Sequence, residues 1–221
     1  MYNDKKIIAI IPARSGSKRL PNKNIKIFNG RPLLYWSIAS AKKVKIIDKI
    51  YVSTDSLKIK KIAQKFGALV PFLRPKAYAT DKSPSEKLIL HMLKNLNEKI
   101  DYVILLQPTS PLRNYKAVES SLKYTIKKAI DSFVSVSNLS DHKFNLLENS
   151  SKKIITMNKK KVAKLRYING SIYILKVSNF LINKRIVNSS TKFFETNKNE
   201  SIDIDTNLDF EIAKVLSKLL N

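Results

Sequence analysis

The chain of 221 residues carries 42 Lys or Arg against 17 Asp or Glu, which gives a formal net charge of +25, and it contains no cysteine. The lack of cysteine excludes disulfides and thiolate zinc sites, and no apolar run approaches the roughly 20 residues that span a bilayer. We therefore expect a cytoplasmic protein without a membrane partner, built as one domain over residues 1–221.

The strong positive charge raises the possibility of nucleic-acid binding. Only 7 of the 42 cations are arginines, and the lysines are spread along the whole chain. Proteins that read nucleic acids favour arginine for its forked hydrogen bonds to bases and phosphates. We expect no nucleic-acid partner and infer that the positive field attracts a small anionic ligand.

The first strong pattern is an apolar run at 7–12, rich in β-branched residues, which predicts a strand buried on both faces. The polar loop 14–24 follows, with one glycine, two serines and four cations. Short side chains let backbone N–H groups approach a ligand, and the cations add positive charge above them. This combination, directly after a buried strand, predicts a binding loop for a di- or triphosphate.

Helix and strand patterns alternate in the next segments. They predict a helix over 31–44, a strand over 49–53, a polar turn at 54–56 that caps a helix over 57–66, and a short third strand over 68–72. Strands and helices that alternate at this spacing indicate an α/β fold: a Rossmann-like, mostly parallel sheet flanked by helices.

Residues 83–86, Ser-Pro-Ser-Glu, have the pattern of a capping box ahead of an amphipathic helix. Ser83 would be the N-cap, Pro84 the first helical residue, and Glu86 the reciprocal partner. His91 lies on this helix, where a packed side chain is a simpler interpretation than a catalytic one.

The clearest buried strand is predicted over 102–106, and it ends at the segment 107–113, Gln-Pro-Thr-Ser-Pro-Leu-Arg. Ligands of open α/β sheets bind beyond the carboxyl ends of the strands, so the amide and hydroxyls of this segment should face the site. A neutral wall of hydrogen-bonding groups suits a polyhydroxylated sugar.

The second half of the chain gives a helix pattern over 115–129, a strand over 132–137 with one polar face, a strand over 169–175, a helix over 177–182 and a strand over 191–196. Between 138 and 166 the pattern weakens into short apolar pieces among lysines and asparagines. This stretch predicts an excursion from the main sheet.

Two carboxylates near the end of the chain, Asp203 and Asp205, are two residues apart. On an extended strand both would point to one face, with Ile202 and Ile204 on the other. Close carboxylates repel unless a cation lies between them, and Mg²⁺ binds to one or two carboxylates plus phosphate oxygens. The pair therefore predicts a magnesium site; the alternative is that Asp205 is a plain N-cap of the helix that follows.

Four stretches together resemble the acylneuraminate (sialic acid) cytidylyltransferases. They are Pro-Ala-Arg-x-Gly-Ser-Lys…Lys-Asn at 12–24, Gln-Pro-Thr-Ser-Pro-Leu-Arg at 107–113, Asn-Gly-small-Ile-Tyr at 169–173 and Ser-Ile-Asp-Ile-Asp-Thr at 201–206. The resemblance implies transfer of CMP from CTP to an acidic nine-carbon sugar. It also implies a homodimer formed through an inserted arm at about 138–168.

The resemblance also implies a role for each matched residue. Arg14, Lys18 and Lys23 would hold the phosphates as catalytic residues, and Mg²⁺ would bind to Asp203 and Asp205. The nucleotide would contact Arg14, Ser15, Lys18, Lys23, Asn24, Arg74, Ser83 and Ser85. The sugar would contact Gln107, Thr109, Ser110, Asn169 and Tyr173.

The arm departs from the family pattern, because Asn158-Lys159-Lys160 stands where Pro-Arg-Gln is usual, and Asn207 replaces an acid often found after the metal motif. Two alternatives to the main interpretation stay open. One is a cytidylyltransferase for the eight-carbon acid Kdo, which the loop residues Gly16-Ser17-Lys18 match less well. The other is a non-catalytic, basic nucleic-acid-binding protein on the same scaffold.

Overall fold

The computed structural model of the chain describes residues 1–138, 146–148, 153–155 and 165–219. Most of the predicted arm at 138–168 lies outside these ranges, including Asn158-Lys159-Lys160. Within the part of the chain that is described, no helix combines the length and the apolar character needed to cross a membrane.

The described elements follow the predicted order of strands and helices. The strands are β1 (Ile7–Pro12), β2 (Ile27–Phe28), β3 (Arg31–Pro32), β4 (Lys49–Ser53), β5 (Tyr102–Leu105), β6 (Ser132–Asn138), β7 (Leu146–Glu148), β8 (Lys153–Ile155), β9 (Arg166–Lys176) and β10 (Lys192–Glu195). The helices are α1 (Leu33–Lys43), α2 (Leu57–Lys65), α3 (Ser85–Leu96), α4 (Tyr115–Lys127), α5 (Val177–Asn183) and α6 (Asn207–Leu219), with short 3₁₀ turns at Lys23–Ile25, Lys76–Tyr78 and Lys198–Glu200.

Six strands form the central sheet in the order β10-β6-β9-β5-β1-β4. Five of them run in the same direction, and β9 lies antiparallel between β5 and β6. The predicted mostly parallel α/β sheet is therefore confirmed. Because β9 runs in the opposite direction, its early residues lie at the carboxyl end of β5, where Tyr173 pairs with Leu105. At the far end of the ladder between β6 and β9, Asn138 pairs with Arg166.

Helices cover both faces of the sheet, which explains why the sequence of β1 is continuously apolar. Alternate residues of β1, represented by Ile7 and Ile11, pack with α1, α2 and α4, whereas Ile8 and Ile10 pack against α3 and α5. A third apolar cluster joins the loop after β1 to α6. Its buried members are Leu20, Phe28, Leu33, Ile204, Phe210 and Ala213.

The predicted third strand over 68–72 is wrong in extent. Leu69 makes a single isolated parallel bridge to Tyr51 of β4, and no strand forms around it. Gly67 does occupy the left-handed conformation that ends α2, with φ +81°, and Ser56 caps its start by accepting a hydrogen bond from Ile59 N.

The predicted capping box at 83–86 is also wrong. Helix α3 begins at Ser85 after Pro84, and no side chain caps it. The Ser83 hydroxyl instead donates to the Ala77 carbonyl at 2.9 Å. Glu86 Oε1 accepts a hydrogen bond from Ile186 N, a residue distant in sequence. Ser83 is therefore bonded within the segment that precedes α3, and only Glu86 exchanges the local cap for a tertiary contact.

The acidic segment 201–205 does not pair as a strand. The expected alternation is nevertheless present, because Asp203 and Asp205 line a common cleft while Ile202 and Ile204 belong to one apolar cluster. Ile204 is fully buried and its N–H donates to the Thr109 carbonyl at 2.8 Å, so the segment is fastened to the loop after β5. Thr206 and Asp209 form the reciprocal cap of α6, with Thr206 N and Asp209 Oδ2 at 2.7 Å and Asp209 N and Thr206 Oγ1 at 3.3 Å. The alternative that Asp205 is the N-cap is therefore wrong, and its carboxylate is available to the site.

Candidate active site

A cleft of about 220 Å³ lies beyond the carboxyl ends of β1, β4 and β5. Four segments supply its polar lining: the loop after β1, the segment before α3, the loop after β5 and the acidic pair before α6. The lining includes Arg14, Ser17, Lys23, Asn24, Arg74, Thr80, Asp81, Ser83, Ser85, Gln107, Thr109, Asp203 and Asp205. An adjoining cleft shares Arg14, Lys23, Asp81 and Asp205 and adds Lys18 and Arg19.

The predicted residues thus divide into three groups by position. Most of the predicted nucleotide-binding residues, both predicted metal ligands, and Gln107 and Thr109 line the main cleft. Lys18 lies in the adjoining cleft. Ser15, Ser110, Asn169 and Tyr173 line neither cleft.

Apolar packing brings the basic loop and the acidic pair together. Leu20 of the loop and Ile204 of the acidic segment are buried in the same cluster. Next to it, Lys23 Nζ lies 2.9 Å from both Asp205 Oδ1 and the Ile204 carbonyl. Arg19, one of the four cations of the loop, places its NH2 2.7 Å from Asp205 Oδ2. Cations and carboxylates separated by about 180 residues therefore meet at one point.

Hydrogen bonds with the side chains of Asp55 and Asn24 fix the conformation of the loop after β1. Asp55, directly after β4, accepts hydrogen bonds from Ser15 N at 2.8 Å and Ser15 Oγ at 2.7 Å. Partial burial opposes ionisation, but the bonds from Ser15 and the charge of Arg74 outweigh it and lower the pKa of Asp55. Asn24 is buried and donates to the Arg14 carbonyl at 2.8 Å.

Arg74 is a buried cation in the wall of the cleft. It donates from NH2 to the Ser53 carbonyl at 3.0 Å, and its buried Nε has no hydrogen-bond partner among the described residues. Burial lowers its pKa to about 10, which the charge of Asp55 partly opposes. The free Nε could therefore donate to a ligand in the cleft.

His91 packs edge-on against the rings of Phe72 and Tyr78. Burial, with a smaller effect of the Arg74 charge, lowers its pKa, so the imidazole is neutral at pH 7. It does not line the cleft.

Gln107 and the start of β9 meet at the end of β5. Gly170 has φ +77°, and a Cβ there would lie 2.7 Å from Gln107 Oε1 and 3.9 Å from the Tyr173 hydroxyl. Only glycine therefore lets the Gln107 amide approach this backbone. Burial raises the pKa of the Tyr173 hydroxyl, and the charges of Asp203 and Glu86 add to this effect.

Asn169 and Ser110 are placed differently from what the sequence suggested. The Asn169 amide donates to Ser137 Oγ at 2.8 Å and Thr196 Oγ1 at 2.7 Å, and its oxygen accepts from Ser135 Oγ at 2.6 Å and Ser171 N at 3.2 Å. This network also buries the serines of β6, which the sequence assigned to a polar face. Ser110 is fully buried, with a hydroxyl that has no partner in the described part of the chain.

The acidic pair has a donor set that fits a hard cation. Asp203 is open to the cleft, yet desolvation by the surrounding protein raises the pKa of its carboxyl, and the charge of Asp205 adds to this while Thr109 and Lys23 oppose it. Thr109 Oγ1 is buried nearby without a hydrogen bond of regular geometry. No three His, Cys, Asp or Glu side chains gather into a metal cluster among the described residues. The acidic pair therefore offers two carboxylates as metal ligands. Mg²⁺ is typically bound by one or two carboxylates together with phosphate oxygens.

Sequence reasoning missed Asp55, Asp81 and Arg113. Asp55 lies directly after β4, a position that could have identified it. Asp81 contacts Arg14 and Lys18, and Arg113 lies behind the loop after β5. The contacts of Asp81 have no local sequence signal, whereas Arg113 is the last residue of the motif 107–113 and its role alone was missed.

Comparison with known proteins places the chain in a family. A family model described as cytidylyltransferase matches residues 8–220. The chain is 37% identical to the CMP-N,N'-diacetyllegionaminic acid synthase of Legionella pneumophila, covering 97% of each chain. It is 31% identical to the pseudaminic acid cytidylyltransferase of Campylobacter jejuni, again covering 97% of each. It is 34% identical to the N-acylneuraminate cytidylyltransferase of Escherichia coli over 98% of this chain, and spans 53% of that relative.

Solved structures agree on the fold. A CMP:2-keto-3-deoxy-manno-octonic acid synthetase complexed with CTP superposes with a TM-score of 0.72 at 19% identity, covering 98% of this chain and all of that one. The 4-diphosphocytidyl-2C-methyl-D-erythritol synthase of Anaerococcus prevotii gives 0.69 at 17% identity, covering 97% and 99%. From the relatives, the family match and the motifs that line the cleft, we conclude that the chain belongs to the acylneuraminate cytidylyltransferase family.

Proposed function

We propose that the protein transfers CMP from CTP to the anomeric hydroxyl of a nonulosonic acid, a nine-carbon acidic sugar, and releases pyrophosphate. One observation carries the proposal: a loop of four cations and a pair of carboxylates, distant in sequence, meet in one cleft at Lys23 and Asp205. Relatives at 37%, 34% and 31% identity are named for legionaminic acid, N-acylneuraminate and pseudaminic acid, which supports this class of substrate.

In the proposed reaction, the anomeric oxygen bonds to the α-phosphorus of CTP while the bond from that phosphorus to the departing pyrophosphate breaks. The hydroxyl proton passes to water, because no side chain in the cleft is assigned as a base. Such a transfer depends on positioning and on neutralising phosphate charge. Arg14, Lys18 and Lys23 are the cations that would hold the phosphates, and Arg74, Ser83 and Ser85 line the cleft on the proposed nucleotide side.

Magnesium is part of the proposal. When bound, it neutralises charge on the phosphate oxygens, and Asp203 and Asp205 would hold it. Asp205 is bonded to Lys23 and Arg19 in the structure. Both cations have phosphate as an alternative partner, so nucleotide binding would release the carboxylate for the metal.

The sugar would bind beside Gln107 and Thr109, which line the cleft, with Tyr173 close to the Gln107 amide. Asn169 would act indirectly, by holding the start of β9, because its amide is fully bonded within the protein. A homodimer formed through the segment 138–168 and a cytoplasmic location remain part of the proposal.

Kdo is the less supported substrate, because the relatives above 30% identity are named for nine-carbon acids and the likeness to the octonic acid synthetase, at 19% identity, concerns the fold. Nothing in the cleft favours the nucleic-acid alternative.

The test is pyrophosphate release from CTP and Mg²⁺ with N-acetylneuraminic, N,N'-diacetyllegionaminic, pseudaminic and Kdo acids supplied in parallel. We expect release with at least one nine-carbon acid, and its identity names the substrate. Asp205→Ala should abolish the Mg²⁺-dependent turnover, whereas Asp4→Ala, which removes an exposed acid outside the cleft, should not. Release with Kdo alone would contradict the sugar class, and silence with all four acids would contradict the reaction.

A further inference from the structure

Arg113 is a buried cation without an acidic partner. Its side chain is only slightly exposed, at 7% for the residue, and no Asp or Glu pairs with it among the described residues. Burying a guanidinium in this way costs free energy that an apolar side chain of similar size would avoid. Stability alone therefore does not account for an arginine at this position.

The guanidinium instead joins three separate segments. Nε donates to the Ser171 carbonyl at 2.7 Å, NH1 donates to Ser37 Oγ at 3.0 Å, and NH2 donates to the Gln107 carbonyl at 2.6 Å. Ser37 Oγ itself donates to the Gln107 carbonyl at 3.0 Å. Only the rigid, forked donor set of arginine can reach three acceptors in different directions.

The two carbonyls that Arg113 holds belong to the backbone around one contact in the cleft. Gln107 carries the amide that lines the cleft, and Ser171 directly follows Gly170, whose backbone that amide approaches. Fixing both carbonyls fixes the relation of the loop after β5 to the start of β9. The direction of the Gln107 amide follows from that relation.

We propose that Arg113 is a positioning residue for the sugar subsite, because its buried guanidinium holds the Gln107 and Ser171 carbonyls and so directs the Gln107 amide into the cleft. The inference rests on the proposed function. Arg113 is expected to affect binding of the acidic sugar and not of the nucleotide. The reason is that Arg113 makes no hydrogen bond to the basic loop or to the segment before α3.

The test compares Arg113→Lys with the matched control Arg185→Lys, which changes an exposed arginine elsewhere. Lysine keeps the charge, but its three N–H donors are on one nitrogen and cannot span acceptors that arginine reaches from three separate nitrogens. We expect Arg113→Lys to raise the KM for the sugar acid about tenfold, as misplacement of a binding group does, while the KM for CTP changes less than about twofold. The milder Ser37→Ala should shift the sugar KM in the same direction by a smaller factor, and it keeps the test valid if Arg113→Lys folds poorly.

A double-mutant cycle with Gln107→Ala separates positioning from general damage. If Arg113 acts through Gln107, Arg113→Lys should add little to the sugar KM of Gln107→Ala. Equal rises in the sugar and CTP KM values, or full additivity in the cycle, would overturn the assignment while the wild-type activity still supports the proposed function. A wild-type protein silent with every acid would overturn both.

Discussion

Arg14 and Asp81 form an ion pair that joins the loop after β1 to the segment before α3. Lys18 Nζ approaches the same carboxylate at 3.6 Å. The hydrogen bond from Arg14, followed by the charges of Arg14 and Lys18, lowers the pKa of Asp81, so it is ionised at neutral pH. In this structure the Asp81 carboxylate thus pairs with Arg14 and Lys18, the cations that would bind phosphate in the proposed function.

Asp81→Asn should therefore strengthen nucleotide binding. Removing the competing charge frees Arg14 and Lys18, and we expect the KM for CTP to fall by roughly threefold, with kcat less affected. Steady-state kinetics at fixed sugar concentration measure this. Asp4→Asn changes the net charge equally at an exposed site outside the cleft and should leave the KM unchanged. A higher KM for CTP in Asp81→Asn would mean that Asp81 assists binding.

Asp55→Ala should weaken nucleotide binding. It removes both acceptors of Ser15, so the loop after β1 loses its attachment to the end of β4. We expect the KM for CTP to rise about tenfold because the binding groups are no longer held in place. Ser15→Ala loses only the hydroxyl bond and should give a smaller increase. If the two variants had equal and small effects, the loop would be held by other contacts.

Lys23→Ala should lower kcat at least tenfold, or about 1.4 kcal/mol, if its ammonium stabilises charge on the transferred phosphate. Rapid-quench or steady-state rates at saturating CTP measure this, with Lys58→Ala, an exposed lysine on α2, as control. A normal kcat together with a raised KM would limit Lys23 to ground-state binding.

Glu98 should stabilise the fold in a pH-dependent way. Its carboxylate accepts from Lys6 Nζ at 2.5 Å, Lys49 Nζ at 2.8 Å and the Tyr51 hydroxyl at 2.7 Å. Desolvation opposes ionisation, but these partners outweigh it and lower the pKa to about 2, from 4.5. The contribution is therefore complete above pH 4.5 and is lost as the pH falls towards 2.

Denaturant unfolding of Glu98→Gln tests this. At pH 7 we expect a loss of about 1 to 2 kcal/mol in the free energy of unfolding, because Lys6 and Lys49 lose their shared counter-charge. The loss should shrink at pH 3. Glu211→Gln, which breaks an exposed pair with Lys214 on α6, should cost far less at either pH. A pH-independent loss in Glu98→Gln would assign the effect to packing.

Local patterns predicted much of the fold. The apolar runs at β1 and β5 specify buried strands because both faces of the sheet are covered. The direction of β9 could not be predicted, since pairing with β5 and β6 is decided by the tertiary structure. The cap predicted at Ser83 failed because its hydroxyl finds Ala77 and Thr80 as partners.

The residues of the candidate site, like the elements of the fold, could be predicted from the sequence only in part. Contiguous motifs identified Arg14, Lys23 and the acidic pair, which line the cleft together. Asn169 was expected to contact the sugar because it begins the family motif at 169–173, yet its partners come from β6 and the end of β10. The role of Asp81 could not be predicted, because it pairs with Arg14, far away in the sequence. Arg113 ends the motif 107–113, but its contacts with Ser37 and Ser171 are decided by the tertiary structure.

The pairing of Asn138 with Arg166 determines where the chain can accept insertions and deletions. Because these two residues pair at one rung of the ladder between β6 and β9, the two ends of the segment that joins them are adjacent. Closing a loop there costs only slightly more as the loop grows. This rung is therefore an insertion point, where the segment can be lengthened, shortened or exchanged while the register of the sheet stays as it is. It lies at the carboxyl end of β6, on the same edge of the sheet as the cleft, so such a change alters the surroundings of the cleft and not the sheet beneath it.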